Sequence, residues 1–159
     1  MANTSVASFL PNAADDQPAR DSGEARTEAS RARITILVAD DHAETRKSLC
    51  AVLAAHGYDQ IVGQATTGKQ AVAEARRLLP DLVLLDLSMP ELDGLSAAQL
   101  IKKAYPEIRI LIFTVHTGNL FRNLAKNMGL DGFVTKGTST EDLLAAIDEV
   151  CQRHKYFPA

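Results

Sequence analysis

Nowhere in its 159 residues does the chain hold an apolar run long enough to cross a bilayer, so a transmembrane helix is excluded. The basic start, apolar stretch and small-residue cleavage site of a secretory signal are also missing, and the expected setting is the cytosol, away from any membrane. Cysteine is scarce. Cys50 and Cys151 are too few and too far apart for a disulfide framework, and no His or Cys stands near them at zinc-finger spacing. Both are expected as reduced thiols on helices, with their pairing left open. An excess of positive charge is absent as well: 17 Lys and Arg against 20 Asp and Glu give a net charge of -3, which offers no field to draw nucleic acid onto this domain. What remains is ordinary soluble composition, 46% hydrophobic and 23% charged, in a length that suits one globular core and not two.

Residues 1–32 mix both charge signs with Ala and Ser and hold few large apolar side chains, and are expected to form a disordered tail. The Arg26, Arg31 and Arg33 group at its end reads as solvated linker. At Ile34 the composition changes. Ile34 to Ala39 is a β-branched apolar run ending in Asp40 and Asp41, followed by Leu49, Val52, Leu53 and His56 at helical spacing and then Gly57, where a helix end places glycine. The alternation repeats through a strand at Ile61–Ala65, a helix from Lys69 to Leu79, and the most apolar run, Asp81–Asp86. A helix from Leu95 to Ala104 and a strand at Ile108–Phe113 come next. Leu120, Leu124 and Met128 then mark a helix, Gly132–Thr135 a strand, and Leu143, Leu144, Ile147, Val150 and Cys151 the stripe of a last helix capped at Thr140. Five strand–helix units predict an α/β fold, a parallel five-stranded sheet covered by helices on both faces as a three-layer sandwich, with its chemistry at the carboxyl ends of the strands.

Those ends carry Asp40 and Asp41 after strand one, Asp86 after strand three, Thr114 at strand four and Lys136 after strand five. Taken singly, each has an ordinary explanation: Asp40 or Asp41 as a helix cap, Asp86 as a turn acid. Taken together, three carboxylates crowded into one mouth repel unless a cation offsets them, and hard oxygen donors suit Mg2+. The reaction that uses such a set is phosphoryl transfer to a carboxylate. Asp86 would be the nucleophile; Asp40, Asp41, Asp86 and the backbone carbonyl of Ser88 the metal ligands; Lys136 and Thr114 the partners of the phosphoryl oxygens.

These residues resemble the receiver domains of two-component response regulators, in the branch with a LuxR-type (LuxR/NarL/FixJ) DNA-binding module. Asp40-Asp41-His42 with Arg46 and Leu49, Asp86-Leu87-Ser88-Met89-Pro90 with Asp93-Gly94, Thr114, and Gly132-Phe133-Val134-Thr135-Lys136 carry the likeness. Ala43 and Ser48 stand where the branch usually has Pro and Gly, and Gly137 stands where many receivers have a proline after the lysine. The resemblance implies a flavodoxin-like (βα)5 fold with strand order 2-1-3-4-5, residues 33–155 as the receiver, and residues 156–159 as a C-terminal remnant or linker. It implies a phosphoacceptor and not an enzyme in the usual sense, self-phosphorylating from small phosphodonors and losing the group again. A sensor histidine kinase, docking on helix one, would be its donor. Thr114 and Phe133 would form the switch, biasing the surface of helix four, strand five and helix five toward homodimerisation or partner docking. Asn119, Arg122, Asn123, Lys126, Glu141, Asp142 and Asp148 are expected to be exposed there. Ser88 and His116, two residues beyond Asp86 and Thr114, would tune hydrolysis of the phosphoryl group.

Three other readings fit less well. An adhesion-type magnesium-dependent binding module would need a serine at Pro90, an aspartyl phosphohydrolase would need a second acid at Ser88, and in a flavin domain Asp40 and Asp41 would repel the cofactor phosphate. A phosphate-independent scaffold keeps the fold without the chemistry.

Overall fold

Short runs of β-branched residues and leucine, each closed by a turn, build the sheet seen in the computed structural model, which describes residues 27–159. The expectations for residues 1–26, Arg26 among them, lie outside the described residues. The strands are β1 (Thr35–Ala39), β2 (Gln60–Ala65), β3 (Leu82–Leu85), β4 (Arg109–Thr114) and β5 (Gly132–Thr135). Every pairing is parallel, in the order β2-β1-β3-β4-β5, as the five-unit reading and the resemblance required. A short α1 (Glu28–Arg31) precedes α2 (Ala43–Ala55), α3 (Gly68–Leu78), α4 (Gly94–Ala104), α5 (Asn119–Asn127) and α6 (Thr140–Cys151). The surface anticipated on helix four, strand five and helix five is therefore α5-β5-α6. No helix among the described residues is long and apolar enough to cross a membrane.

Side chains of alternating strand positions divide the core in two. Leu37, Val83, Leu85, Ile110, Ile112 and Phe133 pack against α3, α4 and α5, whereas Ile36, Val38, Leu82, Leu84, Leu111 and Val134 pack against α2 and α6. All four residues of β3 are buried, which fits a central parallel strand whose two faces are both covered. At about 1.5–3 kcal/mol for each large side chain taken out of water, these two layers dominate the stability.

Helix ends follow their sequence signals closely. Thr67, Asp93 and Ser139 each accept a hydrogen bond from the backbone N–H three residues on. The last of these corrects the expected cap at Thr140: Ser139 has the extended backbone a cap requires, and Thr140 is already helical. Leu79, expected as the last residue of its helix, instead caps α3 in a left-handed conformation before Pro80 and is 59% exposed. Leu120 and Leu124 also face outward; α5 turns Phe121, Ala125 and Met128 to the core. Cys50 lies in α2 and Cys151 in α6, both as thiols.

Both ends of the domain are more engaged than the sequence suggested. Within the stretch read as tail, α1 carries Arg31, whose guanidinium reaches Asp148 on α6 at 2.6 and 3.3 Å and the carbonyl of His56 at 3.3 Å. Asp148, expected at the exposed surface, is only 6% exposed, because Arg31 and the hydroxyl of the buried Tyr58 both close over it. Beyond residue 155, Tyr156 forms a parallel bridge to Gly132, and Phe157 packs on the core.

Candidate phosphoacceptor site

Ladder hydrogen bonds that continue past the strand ends fix the site. The N–H of Asp40 donates to Ala65 at 3.0 Å, that of Asp86 to Ala39 at 2.9 Å, and that of Lys136 to Thr114 at 2.6 Å. These bonds tie the end of β1 to β2, that of β3 to β1 and that of β5 to β4, all at the same edge of the sheet. Asp40 and Asp86 are each 2% exposed and Thr114 is fully buried, while Asp41 opens to solvent.

Lys136 brings the acids together. Its Nζ stands 2.5 Å from Asp40 Oδ2 and 2.9 Å from Asp86 Oδ2. Burial draws the ammonium's pKa down, but the hydrogen bonds to Asp40 and Asp86 outweigh it and hold the group above its usual value. The ammonium reaches two of the three carboxylates, and ligand atoms of Asp40, Asp41, His42 and Asp86 all lie within 4.8 Å of one another. The donor set is mostly carboxylate oxygen, partly buried and short of positive charge, which fits a hard divalent cation.

Two supporting residues carried no role in the sequence reading. The N–H of His42 donates to Asp40 Oδ1 at 2.8 Å, and Arg46 Nη1 donates to the Asp40 carbonyl at 2.8 Å, so α2 orients the acid it follows. Histidine directly after an Asp pair and arginine one helical turn later are the signals that mark them. The loop after β3 is held by close packing: a Cβ on Gly94 would lie 2.0 Å from the Asp86 carbonyl, and one on Gly68 1.9 Å from that of Leu92. Only glycine permits these approaches.

Across the mouth, Ser88 Oγ and His116 Nε2 are 2.7 Å apart, and the His116 ring lies against Phe121 with centroids 4.9 Å apart. The His116 N–H reaches Thr114 Oγ1 at 3.4 Å. Phe133 is fully buried, with the Arg122 guanidinium 5.8 Å from its ring centre. Every residue read from the sequence as part of the site therefore lies at this edge of the sheet or, for Phe133, in the core beneath it.

Known proteins resemble this chain in sequence and fold. The family described as "Response regulator receiver domain" matches residues 36–148. Response regulator protein VraR of Staphylococcus aureus is 33% identical over 126 residues, covering 78% of this chain but 59% of its own length. Among solved structures, a LuxR-family two-component response regulator from Aurantimonas sp. SI85-9A1 superposes with a TM-score of 0.74 at 29% identity, over 77% of this chain and 88% of that one. A LuxR-family DNA-binding response regulator from Staphylococcus aureus gives 0.70 at 25% identity, over 74% and 98%. The chain spans well under two thirds of the curated relative that it matches. With an acid pocket able to hold a metal, a flavodoxin-like sheet and a matching family model, the chain belongs to the receiver domains of two-component response regulators.

Proposed function

We propose that Asp86 accepts a phosphoryl group from a sensor histidine kinase in the cytosol, in a reaction that requires Mg2+. The observation that carries this reading is the bridging of buried Asp40 and Asp86 by the single ammonium of Lys136. Mg2+ held by Asp40, Asp41, Asp86 and the Ser88 carbonyl would supply charge neutralisation for the phosphoryl oxygens. An Asp86 carboxylate oxygen forms the new O–P bond as the donor's bond to phosphorus breaks: the P–N bond of a phosphohistidine, or the P–O bond of acetyl phosphate. Lys136, already aimed at Asp86, moves its charge onto a phosphoryl oxygen. Ser88 and His116, tied to each other, govern how water reaches the acyl phosphate and so its lifetime.

Thr114 turns its hydroxyl toward the phosphoryl group, and Phe133 repacks into the space left. That repacking biases α5-β5-α6 between two arrangements. Leu120 and Leu124, 66% and 40% exposed on α5, give this surface an apolar strip suited to a second copy or an output partner. Similarity to LuxR-family regulators makes control of transcription the output, exerted through a partner or a DNA-binding module, since a net charge of -3 gives this chain no field to draw nucleic acid. The kinase docks at α2, beside the site.

Intact-mass spectrometry after incubation with acetyl phosphate tests the chemistry. The expected result is one phosphoryl adduct that needs Mg2+ and disappears in Asp86→Ala; a native chain left unlabelled, under conditions that label another receiver, refutes it and leaves a phosphate-independent scaffold.

A further inference from the structure

The segment Lys155 to Phe157 lies along the outer edge of β5 as if it were a sixth strand. The Phe133 N–H donates to the Tyr156 carbonyl at 2.8 Å, and the Tyr156 N–H donates to the Asp131 carbonyl at 2.9 Å. Lys155 pins the start of the segment, its Nζ reaching the carbonyls of Gly129 and Leu130 at 3.1 and 3.0 Å and Asp131 Oδ1 at 2.9 Å. Phe157 joins the same apolar cluster as Phe133. The amide bonded to this segment thus belongs to the residue expected to switch.

The seat is imperfect. Beside the segment and β5 lies a cavity of about 300 Å3, lined by Arg122, Phe133, Thr138, Asp142, Tyr156 and Pro158. Arg122 Nε is buried there without a hydrogen-bond partner, although the same guanidinium donates to Asn119 at 2.9 Å through Nη1. The segment is held by two backbone hydrogen bonds, by Lys155 and by the packing of Tyr156 and Phe157, beside an unfilled space and an unsatisfied donor that weaken its seat.

We propose that residues 155–157 form a clasp on the β5 edge whose docking is coupled to the Asp86 site through Phe133. When Phe133 repacks toward Thr114, the cluster shared with Phe157 changes shape, and the hydrogen bond from the Phe133 amide to Tyr156 weakens. The clasp lets go, freeing the β5 edge and the end of α6. By linkage the effect is reciprocal: loosening the clasp favours the phosphorylated arrangement. The phosphoryl arm of this inference rests on the function proposed above.

Hydrogen exchange read by mass spectrometry tests it, on the full chain with Mg2+ and the phosphoryl mimic beryllium trifluoride, beside Lys155→Ala and Phe157→Ala. In the native chain the mimic is expected to raise exchange at Tyr156 and Phe133 by about tenfold. Each variant should show that exchange without the mimic and bind the mimic severalfold more tightly. Binding of the mimic with exchange unchanged overturns the clasp and leaves the phosphoacceptor reading intact, as does a variant whose exchange rises while its affinity for the mimic stays native. Failure of the native chain both to bind the mimic and to form the acetyl phosphate adduct overturns the two together.

Discussion

Replacing Arg31 by Met removes the charge that closes over Asp148 while keeping much of the side chain's bulk. The Asp148 carboxylate is 9% exposed and the Arg31 side chain 16%, with the guanidinium held by two contacts to the acid. Breaking a buried ion pair by removing one partner costs about 3–5 kcal/mol. Here the Tyr58 hydroxyl still donates to Asp148, and water can enter where Arg31 was, so the expected loss is about 2–3 kcal/mol. For a domain of this size that lowers Tm by roughly 6–12 °C. Thermal and urea unfolding measure it. Deleting residues 1–33 should reproduce the loss, because it removes the same guanidinium, and Asp148→Asn added to Arg31→Met should recover part of it by discharging the buried acid. Variants within about 0.5 kcal/mol of native stability would refute the reasoning and return α1 to the solvated tail the sequence suggested.

Asp131 is held below the ordinary carboxylate range: burial raises its pKa, but Lys102, Lys155 and the Ile110 N–H outweigh burial. A depressed folded-state pKa gives stability that is complete above about pH 4 and lost as pH falls through the lower folded value; Asp131→Asn should therefore flatten the acid limb of a stability-against-pH profile, and an unchanged limb would count against the assignment. Gly94→Ala, with its Cβ forced to within 2.0 Å of the Asp86 carbonyl, should cut acetyl phosphate labelling by at least about tenfold while circular dichroism stays native. Ser88→Ala and His116→Ala should change the lifetime of the acyl phosphate in the same direction, and the double variant should do no more than either alone, because each breaks the same 2.7 Å contact; additive effects would show that the two act separately. Mg2+ should raise the Tm of the native chain and leave Asp40→Ala unmoved, as binding to the folded state alone requires.

The sheet and the site were legible because both depend on local, one-dimensional signals. β3 is short, wholly apolar and followed at once by Asp86, and a buried parallel strand admits almost no other reading. Once five such strands lie parallel in one sheet, their last residues must share an edge, so Asp40, Asp86, Thr114 and Lys136 converge however far apart they stand in the chain. Distances along the sequence say nothing comparable about side chains that meet through helix packing. Arg31 and Asp148 are 117 residues apart, Arg31 in a segment with the composition of a solvated tail and Asp148 amid the apolar stripe of α6. Leu120 and Leu124 misled for a related reason. Their spacing identifies a helix, but which face of α5 turns inward is decided by the small side chain of Ala125 fitting against the sheet, leaving the two leucines outside.

The same distinction explains why the contacts at the two ends of the domain could not be read from the sequence. A strand interior announces itself by its apolar run, whereas Tyr156 joins β5 through one backbone carbonyl and one N–H, groups that every residue but proline carries. Composition cannot mark such a pairing; only the open edge of β5, once the sheet order is known, calls for a partner. The acid site is built from charges that the sequence displays, and the contacts that tie it to the rest of the domain are built from backbone and from one buried ion pair. Substitutions at Asp86 or Lys136 should therefore abolish the chemistry and leave the fold standing. Substitution at Arg31 should leave the chemistry and loosen only the start of the domain, whereas substitution at Lys155 should loosen the clasp and so favour the phosphorylated arrangement without removing any group that reacts.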